Sequence, residues 1–265
     1  MNKGKVIDPV FDKLNLVKPN LINIYYMEAK TETIRLFRTP GFCIPTLLFP
    51  IMFYVFFGIL FSMNKATMPT YLMITYATFG VIGPALFSFG VGIAIERGQG
   101  WFDLKEVSPM PASAYIISRI VLSIIFSLLI IMLLFSIAAI FGDVRLFHSQ
   151  WILLAIILIL GSLPFCAVGM TLGLFLKSSS APATINLIYL PMGFLSGLWL
   201  PINFLPDFMQ SFANLLPPYH LAQLSLKVVE MDIGAPIILH IGVLLLYTLF
   251  FMFLAMKAYN KKDKQ

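Results

Sequence analysis

Residues 71–111 read YLMITYATFGVIGPALFSFGVGIAIERGQGWFDLKEVSPMP, and this stretch decides the fold. Tyr71–Ile95 runs for 25 residues without a charged side chain, and Glu96 and Arg97 follow it directly. About 20 apolar residues are enough for a helix to cross the roughly 30 Å hydrocarbon core of a bilayer. Lipid offers no partner to a backbone amide, so a run of this length is read as a spanning helix. Similar runs lie on either side. The six expected spans are Pro40–Met63, Tyr71–Ile95, Tyr115–Phe141, Trp151–Leu176, Ala183–Leu200 and Ala235–Met256, the fifth being the shortest.

Composition agrees with an all-α membrane protein. Of 265 residues, 59% are hydrophobic and 11% charged, with 25 Phe and 14 Met. A soluble domain carries roughly 25% charged residues, so a water-soluble enzyme is excluded. Too little chain remains outside the spans for a second domain of ordinary size. The net charge of +6 reports orientation in such a protein, and no nucleic-acid partner is expected. Cys43 and Cys166 both lie in apolar surroundings, which argues against a disulfide framework or a thiolate metal site. The first 20 residues are polar and lack an apolar h-region, so no cleavable signal peptide is expected.

Counting Lys and Arg on the two sides sets the expected orientation. With the N-terminus inside, the inner segments hold Lys3, Lys5, Lys13, Lys18, Lys30, Arg35, Arg38, Arg97, Lys105, Arg119, Lys177, Lys257, Lys261, Lys262 and Lys264. The outer segments hold only Lys65, Arg145 and Lys227. Fifteen against three places both termini in the cytoplasm by the positive-inside rule. Three parts follow: a cytoplasmic N-terminal segment over 1–39, a transmembrane domain over 40–256, and a basic cytoplasmic tail over 257–265.

Within the first part, Asn20–Arg38 reads as an amphipathic helix. Ile22, Tyr26, Ala29, Thr33 and Phe37 recur at helical spacing, opposed by Glu28, Lys30, Glu32, Arg35 and Arg38. Such a helix can lie in the headgroup layer, or serve only as a short anchor. The outer connection over 201–232 is too long for a turn and too apolar for a free loop. Two amphipathic pieces stand out, Pro206–Leu216 with Phe208, Phe212 and Leu215, and His220–Met231 with Leu221, Leu224, Val228 and Met231. Pro201, Pro206, Pro217 and Pro218 punctuate them, since proline starts a helix but cannot continue one. The expectation is two short re-entrant or interfacial helices before the last span.

The chain offers no covalent chemistry. It has no HExxH pair, no GxSxG elbow, no metal-ligand cluster and no GxxxxGK[ST] phosphate loop. All twelve acidic residues fall outside the interiors of the expected spans, and no Lys or Arg is expected deep within one. A mid-bilayer charge costs about 2.5–3.5 kcal/mol even on the lenient insertion scale, so ion-coupled carriers place one there for a purpose. A proton-coupled carrier and a charged-ring channel are therefore disfavoured. Small residues give the packing signal. Gly169–Gly173 and Gly193–Gly197 are GxxxG pairs, and the second span carries Gly80, Gly83 and Gly90. The first pair is expected to pack helices within the chain. The second fits a dimer contact or a pathway lining equally well.

The inner segment over 96–114 is the remaining signal. After Glu96 and Arg97 come a Gly pair, then Trp101, Leu104 and Val107 on one side of a short helix, and Pro109 and Pro111 end it. This pattern suits a docking helix with apolar knobs and charges at the rim, or an ordinary interfacial loop.

At these residues the sequence resembles the ABC-2-type transporter permease family, the membrane subunits of many bacterial ATP-driven exporters. Glu96, Arg97, Gly100, Leu104, Ser108 and Pro109 match the family pattern in spacing, and Asp103 stands where an acid is frequent. Trp101 departs from it, since a Thr-like residue is more usual there. Pro217, Pro218, Tyr219 and Lys227 resemble the family's loose outer motif. The resemblance implies that Glu96–Pro109 docks onto a separate ATPase subunit that holds ATP and Mg, with no cofactor in this chain. It also implies a second permease chain, identical or not, and a substrate path near the second and fifth spans, in the bacterial inner membrane. Phe- and Met-rich spans suit a lipophilic or amphipathic cargo. Polysaccharide export within the same family, or a non-transporting membrane scaffold, are the alternatives.

Overall fold

The computed structural model describes residues 20–61, 67–101 and 110–262, with the backbone alone at 112 and 259–262. Helix α1 spans Leu21–Phe37, and Asn20 caps it by accepting the Ile22 N–H on Oδ1 at 3.0 Å. That satisfies one of the donors a helix start leaves open. Its faces run opposite to those of a soluble amphipathic helix. Glu32 is the buried residue, while Ile22, Tyr26 and Phe37 are exposed.

Helix α2, Pro40–Phe53, carries Pro45 and Pro50 inside it and continues as a π-helix over Tyr54–Leu60. Each proline removes an amide donor from the ladder, and such a helix tolerates a change of pitch. Helix α3, Met68–Gly98, is the axis of the molecule. At 31 residues it extends about 46 Å, longer than a bilayer core is thick. It is mostly buried, packing along α4 (Ala112–Phe141) and against most of the other helices.

The expected fourth span forms two helices, α5 over His148–Gly161 and α6 over Leu163–Phe175, with a break at Ser162. Pro164 starts the second piece, where its missing N–H costs nothing. Gly169 and Gly173 seat α6 on α3. A Cβ at Gly169 would lie 2.9 Å from the Leu86 carbonyl oxygen, and one at Gly173 2.7 Å from that of Phe89. Both of these close neighbours belong to this chain.

Five helical stretches are long and apolar enough to cross a membrane: Pro40–Leu60, Met68–Gly98, Ser113–Phe141, His148–Phe175 and Ile237–Ala258. The expected fifth span differs. Helix α7 covers Ala181–Leu195 and stops there, about 22 Å of helix and short of a full crossing. Pro191 interrupts its ladder, and Gly197, at φ 72°, turns the chain left-handed where a side chain would be strained.

Beyond it lie the two short helices expected in the outer segment. Helix α8 covers Asp207–Ala213 after Pro206, and α9 covers Pro217–Leu226, with 3₁₀ turns at Ile202–Phe204 and Lys227–Val229. Helix α9 starts three residues earlier than the apolar spacing implied, because Pro217 and Pro218 occupy its first turn. Phe208, Phe212 and Leu215 face outward, whereas nearly all of α9 is buried. Helix α10, Ile237–Lys262, packs on α6 and α9 and is otherwise exposed, as a lipid-facing helix should be. No strand occurs among the described residues.

Candidate functional site

The largest fully buried side chain in the structure is a charged one, Arg119. It sits near the start of α4, at one end of the third expected span rather than deep within it, and its burial was not expected from the sequence. An isolated buried charge costs several kcal/mol, so the guanidinium depends on its partners, which meet both terminal nitrogens and leave Nε without one among the described residues. Arg119 Nη1 donates to the Ser88 carbonyl at 2.7 Å, and Nη2 donates to Glu96 Oε1. Glu32 Oε2 lies 3.4 Å from the same nitrogen. The guanidinium also lies over the Tyr115 ring, 5.2 Å from its centroid.

Glu96 is the hub. It occupies the last turn of α3, 2% exposed, rather than the rim of a docking loop. Its Oε2 accepts the Tyr115 hydroxyl proton at 2.8 Å, and its Oε1 also faces Arg35 Nη1 at 2.5 Å. Arg35 in turn donates to Glu32 Oε2 at 2.7 Å, an i,i+3 pair on α1. Four charged side chains thus tie α1, α3 and α4 together. Gly92 leaves room for them: a Cβ there would press on the Arg119 guanidinium.

This ionic cluster closes one end of a cavity of about 720 Å³ between α2, α3 and α7. Its walls are apolar and aromatic, with Phe42, Phe49, Phe79, Phe87 and Tyr189, and its polar groups gather at Arg35, Ser88, Glu96, Arg119 and Asn186. The size and the balance of apolar walls with a few polar groups suit a small-molecule site. At the aromatic end, Phe79 stacks on Tyr189 with centroids 4.3 Å apart, and Trp199 meets Phe79 edge-on at 5.5 Å. The Tyr189 hydroxyl donates to the Phe79 carbonyl at 2.8 Å, fixing α7 to α3.

The remaining candidates fall in three groups. Arg97 points away from the cluster and donates to the Leu176 carbonyl at 2.8 Å, holding the end of α6. Gly100 takes φ 75° and Trp101 is half-exposed just beyond α3, whereas Asp103, Leu104, Ser108 and Pro109 lie outside the described residues. The glycines pack within the chain: Gly80 against Ile130 and Pro50, Gly83 against the Tyr189 hydroxyl, Gly90 against Ile185, and Gly193 against the Phe79 ring. Of these, Gly83 lines the cavity. Pro206 precedes α8, while Pro217, Pro218 and Tyr219 are buried in α9. Sequence reasoning missed Arg119, Tyr115 and the inward role of Glu32 and Arg35. A lone arginine within an apolar run was the available signal.

A family model described as ABC-2 type transporter matches residues 25–229, which takes in most of α1, the cluster, the cavity and α9. The chain belongs to the ABC-2 type transporter family. It is also 29% identical over 246 residues to a Bacillus subtilis (strain 168) protein named "Putative transport permease YvfS", covering 91% of this chain and 99% of that one. The chain is thus a multi-pass membrane protein of a transport permease family. In this ABC-2 chain the cluster and the cavity both fall within the matched residues.

Proposed function

We propose that the chain is the membrane subunit of an ATP-driven exporter in the bacterial inner membrane. Two permease chains form the path, a separate ATPase subunit holds ATP and Mg, and both termini of this chain lie in the cytoplasm. The 720 Å³ cavity carries this reading, because it lies where α2, α3 and α7 meet and ends on the turn of α3 that leads into the inner segment. Residues 96–114 serve as the coupling segment, with Trp101 as its exposed apolar knob, together with Asp103, Leu104, Ser108 and Pro109. ATP-driven closure of the ATPase pair pulls on the end of α3. Glu96 passes the displacement to α1 and α4 through its guanidinium partners, which changes the cavity wall. The aromatic walls suit a lipophilic or amphipathic cargo.

The test is co-purification of the tagged chain with its ATPase subunit in detergent, followed by ATP hydrolysis. A Trp101→Asp/Leu104→Asp variant loses both capture and hydrolysis while keeping its own thermal stability. Glu96 is left intact in this variant because its removal would unpair the buried guanidiniums. Unchanged capture by the variant removes the segment from the coupling role, and failure to find any ATPase partner favours the scaffold alternative.

A further inference from the structure

Two histidines that do not line the cavity meet where α9 packs on α10. His220 lies in the first turn of α9 and His240 in the first turn of α10; they are 2% and 0% exposed. Their Nδ1 atoms are 2.9 Å apart, and His220 Nε2 is 2.9 Å from the Asn214 carbonyl oxygen. A carbonyl can only accept, so His220 carries its proton on Nε2 and presents a lone pair at Nδ1. His240 must then donate from Nδ1, which leaves a lone pair on its Nε2. That atom is buried and has no hydrogen-bond partner among the described residues.

The neutral pair thus meets both nitrogens of His220 and one of His240, and there is no good place for one more proton. On His220 Nδ1 it would set two N–H groups face to face. On His240 Nε2 it would create a buried charged donor without an acceptor, at the positive end of a helix dipole. The surroundings do little to offset this. Lys227 and Asp232, the charged groups felt at His240, are paired with each other at 2.5 Å. Tyr219 presents its ring to both imidazoles, Tyr71 faces Tyr219, and Tyr247 donates to the Leu215 carbonyl.

We infer that His220 and His240 form a proton-operated latch: neutral, the pair holds the outer segment on the last span, and protonated from the outer side, it lets α9 lift away. This rests on the topology proposed above, which places α9 outside. Burial holds the His220 imidazole below its ordinary range, against an opposing pull from the Asn214 carbonyl. A lowered imidazole contributes stability that is complete above its free value of about 6.5 and is lost as pH falls through the folded value. Acid on the outer face therefore opens the latch.

The experiment places one reporter cysteine, Ser225→Cys, in a background with Cys43→Ser and Cys166→Ser, and labels intact cells with a membrane-impermeant maleimide. Ser225 is fully buried on α9, and Phe208→Cys on the exposed face of α8 is the control. The ratio of reporter to control labelling rises about tenfold or more between roughly pH 7.5 and pH 5.5, the range that brackets a free imidazole. His240→Gln still donates to His220 but cannot titrate, so it abolishes the rise and keeps labelling low at neutral pH. A pH-independent ratio in the reporter chain, or an acid response that survives His240→Gln, overturns the latch. A control labelled only after permeabilisation overturns the topology instead, and the latch is then read from the same ratio in permeabilised cells.

Discussion

At the scale of single residues, the chain keeps a charge where a lipid-embedded helix should not. Arg119 is fully enclosed, and its worth lies in what its removal would strand. Arg119→Ala leaves Glu96 and Glu32 buried with one guanidinium fewer, and the expected loss is about 3–5 kcal/mol, read as a lowered denaturation midpoint in detergent. Adding Glu96→Ala to it costs less than the sum of the two changes, with a coupling above about 1 kcal/mol in a double-mutant cycle. Independent effects in that cycle would mean that the pair does not act as a unit. Glu96 stands out in the sequence as a charge at the end of an apolar run, yet nothing local says which way it faces. The rotation of a helix about its own axis is set by its packing partners, here α1 and α4. Arg119 is harder still, because near a span's inner end the same residue reads as a cytoplasmic charge.

Among elements, the contact of α6 with α3 is the closest, and it leaves no space for side chains at two positions. Gly173→Val pushes a Cβ against the Phe89 carbonyl, where neither backbone can give way, and is expected to cost about 1–3 kcal/mol or more. Gly242 on α10 has nothing within 4 Å of where a Cβ would stand. Gly242→Ala should therefore leave the midpoint unchanged or raise it by up to about 1 kcal/mol through helix propensity. A loss at Gly242 equal to that at Gly173 would show that the midpoint does not report the packing of α6 on α3. Where the chain passes from α9 to α10, Lys227 joins the two through Asp232 and the Ala235 carbonyl, and Lys227→Met should cost about 1–3 kcal/mol. The spans and the use of Gly169 and Gly173 were legible because apolar length and small-residue spacing are local properties. The shortness of α7 was not, since Trp199 and Leu200 are as apolar as a span but follow the turn at Gly197.

The whole molecule is a bundle around one buried rod, with a cavity that opens between three of its helices. Val91 lines that cavity from α3 and is not one of the four charged residues of the cluster, and Val91→Trp narrows the cavity. Under the ATP-driven function proposed above, the expected result is a several-fold loss of cargo-stimulated ATP hydrolysis, with basal hydrolysis and thermal midpoint close to those of the parent. Loss of basal hydrolysis as well would place the defect in assembly rather than in the path. The fold class, the helix before the first span and the paired outer helices could all be read from composition and periodicity. The cavity could not, because it exists only where residues far apart in the chain, such as Phe42, Phe87 and Asn186, come to share a wall.

The buried arginine also has a consequence for how the protein is made. Chains enter the membrane in the order of synthesis, N-terminus first. Glu32 and Glu96 are both made before Arg119 emerges, so the cation meets carboxylates already in place. The cost of taking a lone arginine into the membrane is thereby offset as the helix arrives, not afterwards. A rearranged gene that placed the third span ahead of the first two would lose this advantage. Its product would depend on chaperones or degrade at birth, although every contact of the finished structure remained available to it.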